Sequence, residues 1–201
     1  MYNSRITGVG KYVPENVVTN NDLKEWMDTS DEWIQERTGI QERRWIDPET
    51  SDDTTSIMGV KAAKIAIERA GLTKDDIDFI VFATLSPDMY FPGGGVRVQE
   101  LLEMPTVGAL DVRNQCSGFI YGLSVADQFI KTGMYKNVLV IGSENHSGGL
   151  ERSTRGRNVT VIFGDGAGAV VLSREEEVVL HLRLTETDQP VAERVLRVHR
   201  G

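Results

Sequence analysis

The only cysteine of the chain, Cys116, lies in a stretch whose residue types suit nucleophilic chemistry. An apolar run at 106–112 predicts a buried strand, and a segment with helical spacing follows the polar turn that carries the cysteine. The thiol is therefore expected at or next to a helix N-terminus, where backbone N–H groups and the helix dipole favour an anion such as a thiolate. Ser117 and Gly118 are small enough to let a substrate approach. The alternative is a cysteine that packs as a small hydrophobe.

Aromatic and basic side chains form a second group with possible ligand chemistry. Ser30 predicts the N-cap of a short helix that carries Trp33 and Arg37. An indole face suits stacking on a base and a guanidinium suits a phosphate, although Trp33 is by default a core aromatic. Three arginines crowd a glycine-rich loop, where they either bind phosphate or keep the loop soluble: Arg152, Arg155 and Arg157.

The loop segment 89–91, Met-Tyr-Phe, is more apolar than a solvated loop should be. A buried interface or a substrate tunnel accounts for such a segment, and an interface is the commoner explanation.

Two further motifs carry no ligand prediction. The glycine-rich run 164–169 precedes apolar residues that predict a strand, whereas a dinucleotide fingerprint joins a strand to a helix. Asp165-Gly166 instead predicts a tight turn. The three histidines stand far apart and there is no second cysteine, so no metal site is predicted; they are His146, His181 and His199.

Composition bounds the class of protein. The 201 residues suffice for one medium domain or two small ones, and 40% hydrophobic with 26% charged residues is typical of a soluble globular protein. A net charge of −8 argues against non-specific nucleic-acid binding and gives no reason to expect a membrane surface as partner. A single cysteine excludes an intramolecular disulfide and suits a reducing cytoplasm. We expect no signal peptide and no membrane-spanning segment.

The elements that position these residues alternate between strand and helix. Apolar runs predict five strands, at 4–9, 79–83, 106–112, 138–142 and 167–173. Spacing and caps predict helices at 19–27, 30–38, 54–70, 93–104 and from Cys116 to about 132, with a loop at 41–53. This alternation predicts an α/β fold, a mostly parallel five-stranded sheet with helices on both faces. Residues 178–184 suggest one more strand, and 185–201 show no periodic face.

Taken together, residues 1–173 resemble the N-terminal half of a β-ketoacyl-[acyl-carrier-protein] synthase III, a family with a thiolase-like fold. The resemblance rests on six segments in this order: ITGVGKYVP at 6–14, SDEWI at 30–34, RTGI at 37–40, FP at 91–92, CSGF at 116–119 and FGDGAGA at 163–169. Each segment alone is a weak match, and the combination is specific.

The resemblance implies a role for five residues. The family's nucleophilic cysteine matches Cys116. Its adenine-stacking tryptophan matches Trp33, and the arginine on the far side of the adenine matches Arg157. A phosphate-contacting arginine matches Arg37. Phe91 matches a phenylalanine that reaches across the dimer into the neighbouring acyl pocket.

The chain also departs from the family's pattern. Asn114-Gln115 precede the cysteine where smaller residues are commoner, which bears on acyl-chain preference. The family's fold is a duplication whose catalytic histidine and asparagine belong to the second half, and none of the three histidines lies in the family's motif. Residues 1–173 are therefore assigned to the nucleophile-bearing domain, and 174–201 to the start of a second half or a degenerate tail.

The resemblance implies an acyltransferase of fatty-acid or polyketide-type biosynthesis. Cys116 takes an acyl group from acyl-CoA and condenses it with malonyl-carrier protein, in a cytoplasmic homodimer that needs no metal or cofactor beyond the coenzyme A thioester substrate. We expect the 201-residue chain alone to fail in condensation. Two alternatives stay open: a non-catalytic half-domain or fragment that binds coenzyme A or a homologous partner, and a related condensation of the hydroxymethylglutaryl type or an ester-forming acyl transfer.

Overall fold

The computed structural model describes residues 2–175, which form a five-stranded sheet, a small two-stranded sheet and five α-helices. The strands are β1 (Asn3–Tyr12), β2 (Val17–Thr19), β3 (Glu42–Arg44), β4 (Phe79–Ala83), β5 (Gly108–Val112), β6 (Asn137–Glu144) and β7 (Gly166–Glu175). The helices are α1 (Asp31–Thr38), α2 (Thr55–Arg69), α3 (Gly94–Leu101), α4 (Gly118–Lys131) and α5 (Arg157–Thr160). Four 3-10 turns, Asp22–Glu25, Lys74–Asp76, Ser147–Gly149 and Thr154–Gly156, complete the regular structure of these residues.

The large sheet has the strand order β1-β7-β6-β4-β5. Strand β4 pairs in parallel with both β5 and β6, whereas β7 runs antiparallel to both of its neighbours, β6 and β1. Four of the five strands point the same way, but two of the four pairings are antiparallel, so the sheet is mixed rather than mostly parallel as predicted. The carboxyl ends of β4, β5 and β6 meet at one edge of this sheet, where open α/β sheets usually bind ligands.

Strands β4 and β6 are buried on both faces, as their unbroken apolar runs predict. Ile80 and Phe82 of β4 face the core beneath α2 and α3, and Val81 faces the core beneath α4. The helices thus cover both faces of the sheet, which confirms the predicted layering.

Helix α2 lies unusually close to β1, and glycines make this possible. Its N-cap is Thr54, whose hydroxyl accepts the Ile57 N–H. A Cβ atom added at Gly8 or Gly10 of β1 would lie 2.0 Å from a backbone carbonyl oxygen of α2. No other residue type fits there without a shift of the helix.

The N-terminal helices agree with the prediction only in part. Ser30 caps α1 by accepting the Trp33 N–H, and Gly39 ends the helix in the left-handed region, as expected. The helix predicted at 19–27 is wrong, because Asp22–Glu25 forms a single 3-10 turn. Thr19 and Asp22 do exchange the hydrogen bonds of a capping box, but too few residues follow to extend the turn.

Three other predictions need correction. Strand β5 was expected to be buried, yet it forms the edge of the sheet, and each of its residues is half-buried or exposed because only β4 pairs with it. Residues 41–53 are not simply a loop, since they contain β3 and the buried Trp45. Asp165 does not lie in a tight turn, and its carboxylate instead accepts hydrogen bonds from three backbone N–H groups.

Two predictions lie outside the described residues. These are the strand suggested at 178–184 and any role of His181 or His199. Strand β7 continues to Glu175, and the domain boundary placed after residue 173 stays a prediction.

Candidate active site

Cys116 lies at the carboxyl edge of the parallel strands, in the turn that joins β5 to α4. Helix α4 begins at Gly118 with Ser117 as its N-cap residue, so the cysteine directly precedes the cap. This confirms the predicted strand, turn and helix arrangement. The thiol is free and Cys116 is exposed, which excludes the alternative of a buried hydrophobic cysteine within the described chain.

Local hydrogen bonds shape the turn around the cysteine. The Gly118 N–H donates to the Gln115 carbonyl at 2.7 Å, which folds the chain back over Cys116. The Asn114 side-chain amide donates to the Ser117 hydroxyl at 2.8 Å. The residues that depart from the family's pattern therefore take part in holding the turn that carries Cys116.

A cavity of about 130 Å³ opens beside Cys116. Its walls come from the ends of β4 and β6, the cysteine turn and the first residues of α4: Ala83, Asn114, Gln115, Gly118, Phe119, Gly142, Ser143 and Glu144. Several lining residues are small, and at Gly142 no larger one fits freely, because a Cβ atom there would lie 3.1 Å from the Phe119 ring.

The wall of this cavity is tied together by Glu144, a residue that the sequence did not single out. Its carboxylate accepts hydrogen bonds from the Leu85 N–H at 2.8 Å, the Ser86 N–H at 3.1 Å and the Ser86 hydroxyl at 2.5 Å. The Thr84 hydroxyl donates at 3.2 Å. The end of β6 is thereby joined to the loop that follows β4.

Two aspartates hold that loop further along its course. The Asp88 carboxylate accepts the Ser56 N–H at 3.0 Å and the Thr54 hydroxyl at 2.8 Å, at the start of α2. The Asp111 carboxylate accepts the N–H groups of Gly94 and Gly95 at 2.7 and 2.8 Å, at the start of α3. Carboxylates at helix N-termini satisfy donors that the helix leaves free. The loop between β4 and α3 is thus anchored on both sides of its tip, at residues 85–88 and at the start of α3.

The tip of this anchored loop projects from the sheet edge. Phe91 is 89% exposed and Tyr90 is 76% exposed, and the guanidinium of Arg113 lies 4.6 Å from the centre of the Tyr90 ring. Phe91 is not among the residues that line the Cys116 cavity of its own chain. Its predicted role in a neighbouring subunit stays a prediction.

The three residues predicted for the nucleotide end do come together. The guanidinium groups of Arg37 and Arg157 each lie 4.4 Å from the centre of the half-buried Trp33 ring. Arg157 also donates to the Asp28 carbonyl at 2.6 Å. A base inserted between Trp33 and Arg157 needs roughly 7 Å, which is two stacking distances. The stack is therefore closed in this structure, and Arg157 must move to admit an adenine.

A second stack of arginine on indole lies on the same loop and was missed at the sequence level. The Arg152 guanidinium lies 5.2 Å from the Trp26 ring centre and 5.1 Å from that of Trp45. The two indoles stack on each other with centres 5.9 Å apart. Partners so distant along the chain leave no local spacing signal.

A charged cluster outside the cysteine region lies beside α2, with its carboxylate buried and its lysine partly exposed. The Asp53 side chain is 2% exposed, and it accepts hydrogen bonds from Lys61 at 2.6 Å and from the Tyr12 hydroxyl at 2.7 Å. Burial acts to raise the pKa of the Asp53 carboxyl, but these hydrogen bonds outweigh it, so its pKa lies below the ordinary value. For Lys61, burial is likewise outweighed by its bonds to Asp53 and Tyr12, and its pKa is raised.

Metal ligands are not grouped within residues 2–175, where no three His, Cys, Asp or Glu side chains come together in a suitable cluster. His146 is the one histidine of this part of the chain, and its ring stacks on Phe163 with centres 4.9 Å apart. Across the same residues, no helix has both the length and the apolar character needed to cross a membrane.

Comparison with known proteins places this site in a family. Residues 110–187, which include Cys116, match the model of the family described as 3-oxoacyl-[acyl-carrier-protein (ACP)] synthase III. The chain is 50% identical over 177 residues to β-ketoacyl-[acyl-carrier-protein] synthase III 1 of Bacillus anthracis, covering 87% of this chain and 55% of that protein. It is also 50% identical over 171 residues to the β-ketoacyl-[acyl-carrier-protein] synthase III of Caldanaerobacter subterraneus, covering 85% and 50%.

Solved structures give the same result. The crystal structure of 3-oxoacyl-[acyl-carrier-protein] synthase III from Aquifex aeolicus superposes with a TM-score of 0.82 and 47% identity, over 87% of this chain and 55% of that one. The priming β-ketosynthase of the R1128 polyketide pathway superposes with a TM-score of 0.81 and 34% identity, over 87% and 51%.

The fold is therefore thiolase-like, with a cysteine at the carboxyl edge of its sheet. The chain belongs to the β-ketoacyl-[acyl-carrier-protein] synthase III family and corresponds to the N-terminal part of that family's proteins. It spans about half the length of the curated relatives it matches.

Proposed function

We propose that this chain carries the nucleophile of a β-ketoacyl-[acyl-carrier-protein] synthase III type acyltransferase. The Cys116 thiolate attacks the carbonyl of an acyl-CoA, the acyl group becomes a cysteine thioester, and coenzyme A leaves as its thiol. Malonyl-carrier protein then loses carbon dioxide, and the resulting enolate attacks the acyl thioester and releases Cys116. The position of Cys116, exposed beside a cavity and directly before α4, is the observation that carries this proposal.

Coenzyme A is proposed to bind through its nucleotide at the Trp33 stack. The adenine lies between Trp33 and Arg157, and Arg37 contacts a phosphate. Stacking and charge-assisted hydrogen bonds suit these parts of the ligand. Binding breaks the hydrogen bond from Arg157 to the Asp28 carbonyl, because the guanidinium must leave the ring to make room.

The partners are proposed on the same basis. The exposed Phe91 tip and the edge strand β5 lie where a second copy can pair, so the protein is proposed to be a homodimer. An acyl carrier protein supplies the malonyl group. The cysteine thioester needs no metal or further cofactor, and a single free thiol fits a reducing cytoplasm.

Condensation requires hydrogen-bond donors that we do not identify among the described residues. An enolate requires preorganised donors near the thioester oxygen, and removing one such donor typically costs about 100- to 1,000-fold in rate. Among residues 2–175 we identify no histidine and asparagine pair in the family's motif. Acylation of Cys116 is therefore the step that this chain is proposed to perform alone. The likeness to the R1128 priming ketosynthase favours polyketide priming as the second candidate pathway.

Intact-mass spectrometry after incubation with acetyl-CoA tests the proposal. The wild-type chain should gain one acetyl group, and Cys116→Ala should gain none. Ser124→Ala is the control, because it alters an exposed residue of α4 away from the cysteine turn and keeps the thiol. A folded wild-type chain whose mass never shifts would contradict the proposal.

Calorimetry tests the nucleotide end separately. Trp33→Ala should weaken coenzyme A binding by about 1–3 kcal/mol, the range for stacking a base on an aromatic ring. Tyr121→Ala, which removes an exposed aromatic from α4, should leave the affinity unchanged. Equal affinities of wild type and Trp33→Ala for coenzyme A would contradict the stacking role and leave Trp33 with a structural role only.

A further inference from the structure

The Arg152 side chain is held in place by a rigid aromatic platform. Trp45 beneath it is 2% exposed, and its indole N–H donates to the Phe163 carbonyl at 2.9 Å. Trp26 stacks on Trp45 at an interplanar angle of 24°, and the guanidinium lies over both rings. Such stacking orients the plane of a guanidinium and leaves its N–H donors at the edge.

Within the described residues the charge of Arg152 has no carboxylate partner, in contrast to those of Arg155 and Arg37. Arg155, on the same loop, pairs with Glu151 at 3.0 Å, and Arg37 pairs with Glu36 at 3.3 Å. Within residues 2–175, no carboxylate lies within salt-bridge distance of Arg152, and the residue is exposed. A fixed, solvent-facing cation without a counter-charge is suited to an anionic ligand.

This cation lies beside the Trp33 stack. Asp28 connects the two stacks, because its carbonyl accepts from Arg157 at 2.6 Å and its N–H donates to the Thr154 hydroxyl at 3.0 Å. Trp26, under Arg152, precedes Asp28 by two residues, which is a backbone distance of at most about 7 Å. Each stack therefore joins one tryptophan of the segment 26–33 to one arginine of the loop 152–157, Trp26 to Arg152 and Trp33 to Arg157.

We propose that Arg152 binds the 3′-phosphate of coenzyme A, an inference that rests on the proposed function. The nucleotide of coenzyme A carries a 5′-diphosphate and a separate 3′-phosphate on the ribose next to the base. With the adenine on Trp33, Arg37 on α1 serves the diphosphate. Arg152, on the opposite segment beside Arg157, serves the phosphate that remains. The chain thereby distinguishes coenzyme A from its dephosphorylated form.

Calorimetry with two ligands tests this assignment at low ionic strength, where exposed charges are little screened. The wild-type chain should bind coenzyme A on the order of tenfold more tightly than 3′-dephospho-coenzyme A, the scale of a charge-assisted hydrogen bond at an exposed site. Arg152→Gln should lower this ratio to about twofold. Arg152→Lys, which keeps the charge without the planar fork, should fall between.

Arg155→Gln is the matched control, because it removes a neighbouring arginine that is already paired with Glu151. It should leave the ratio near the wild-type value. An Arg152→Gln ratio equal to that of wild type, with coenzyme A still bound through Trp33, would overturn the assignment and leave the proposed function intact. An equal loss for both ligands would also overturn it, since Arg152 would then act on the diphosphate or on folding. A folded wild-type chain that binds neither ligand would overturn both proposals.

Discussion

Replacing Glu144 by alanine should loosen the wall of the Cys116 cavity. The carboxylate accepts from two backbone N–H groups and two hydroxyls of residues 84–86, and alanine leaves all four donors without this acceptor. The two hydroxyls can turn to water, and the Ser86 N–H keeps a second acceptor, the Thr84 hydroxyl, at 3.1 Å. The loss therefore falls on the charge-assisted bonds to these two N–H groups, in full for Leu85 and in part for Ser86.

The magnitude follows from these two bonds. A hydrogen bond to a charged group contributes about 1.5–3 kcal/mol when buried, and the Glu144 side chain is 31% exposed, so about 1 kcal/mol each is appropriate. Because the Ser86 N–H keeps the Thr84 hydroxyl, we expect Glu144→Ala to lower the free energy of unfolding by about 1–2 kcal/mol. For a chain of this length that corresponds to a melting temperature lower by roughly 2–8 °C.

Glu144→Gln separates the effect of losing a hydrogen-bond acceptor from the effect of losing the negative charge. One amide oxygen can still accept from Leu85, while the amide nitrogen faces the Ser86 N–H as a second donor. Its destabilisation should be about half that of Glu144→Ala. The control is Glu100→Gln, whose carboxylate pairs only with Arg97 at the surface and should change stability by less than about 0.5 kcal/mol.

Urea denaturation measures the loss of global stability, and amide hydrogen exchange measures the local loosening at residues 84–86. In Glu144→Ala, the Leu85 amide should exchange faster by on the order of 5-fold, which equals about 1 kcal/mol, and the Ser86 amide by less because it keeps the Thr84 hydroxyl. The exchange rates of amides in the middle of α2 should change only as far as global stability changes. The reasoning is refuted if Glu144→Ala unfolds at the wild-type urea concentration and protects both amides as before.

Three further perturbations test other parts of the fold. Asp53→Asn should lower the free energy of unfolding by about 1–2 kcal/mol at pH 7, a figure discounted for the partial exposure of Lys61. The pKa of Asp53 is lowered on folding, so its stabilising contribution is present above the unfolded pKa of about 3.9 and is lost as the pH falls through the folded pKa. The unfolding curves of wild type and variant should therefore come together in acid. Gly10→Ala should cost about 1–3 kcal/mol because its Cβ would lie 2.0 Å from the Ala62 carbonyl oxygen, whereas Gly168→Ala, which meets nothing within 4 Å, should be near neutral in the same thermal melt. Phe91→Asp should convert a sedimenting dimer to monomer, and identical sedimentation of the two proteins would remove the tip from the interface.

The parts of the fold that the sequence predicted correctly are those with strong local signals. The unbroken apolar run at 79–83 is typical of a strand buried on both faces, and the structure has β4 with the same bounds. Thr54 and the apolar spacing after it predicted α2 to within one residue at each end. The turn around Cys116 combines both kinds of signal, which is why the position of the candidate nucleophile was predictable.

The contacts that sequence reasoning missed join residues far apart in the chain. Glu144 and Ser86 are 58 residues apart, and an acidic residue at a strand end looks like any solvated side chain until its partners are known. Arg152 shared a loop with two other arginines, and only its distance to Trp26 and Trp45 distinguishes it from them. Stacking and capping by distant residues depend on tertiary structure, so no local pattern reports them.

The error on β5 has a different physical origin. The run at 106–112 is apolar enough to predict burial, yet in the described chain Leu110 is 38% exposed and one edge of the strand has no partner among residues 2–175. Ile120 and Tyr121 of α4 are likewise more than half exposed. Large apolar side chains left in water are costly, and faces that collect them are often covered by other protein. The hydrophobic pattern of a sequence reflects burial in the assembled protein, whereas these exposures are those of a single chain. On that basis the apolar edge at β5 supports the pairing that Phe91→Asp is designed to break.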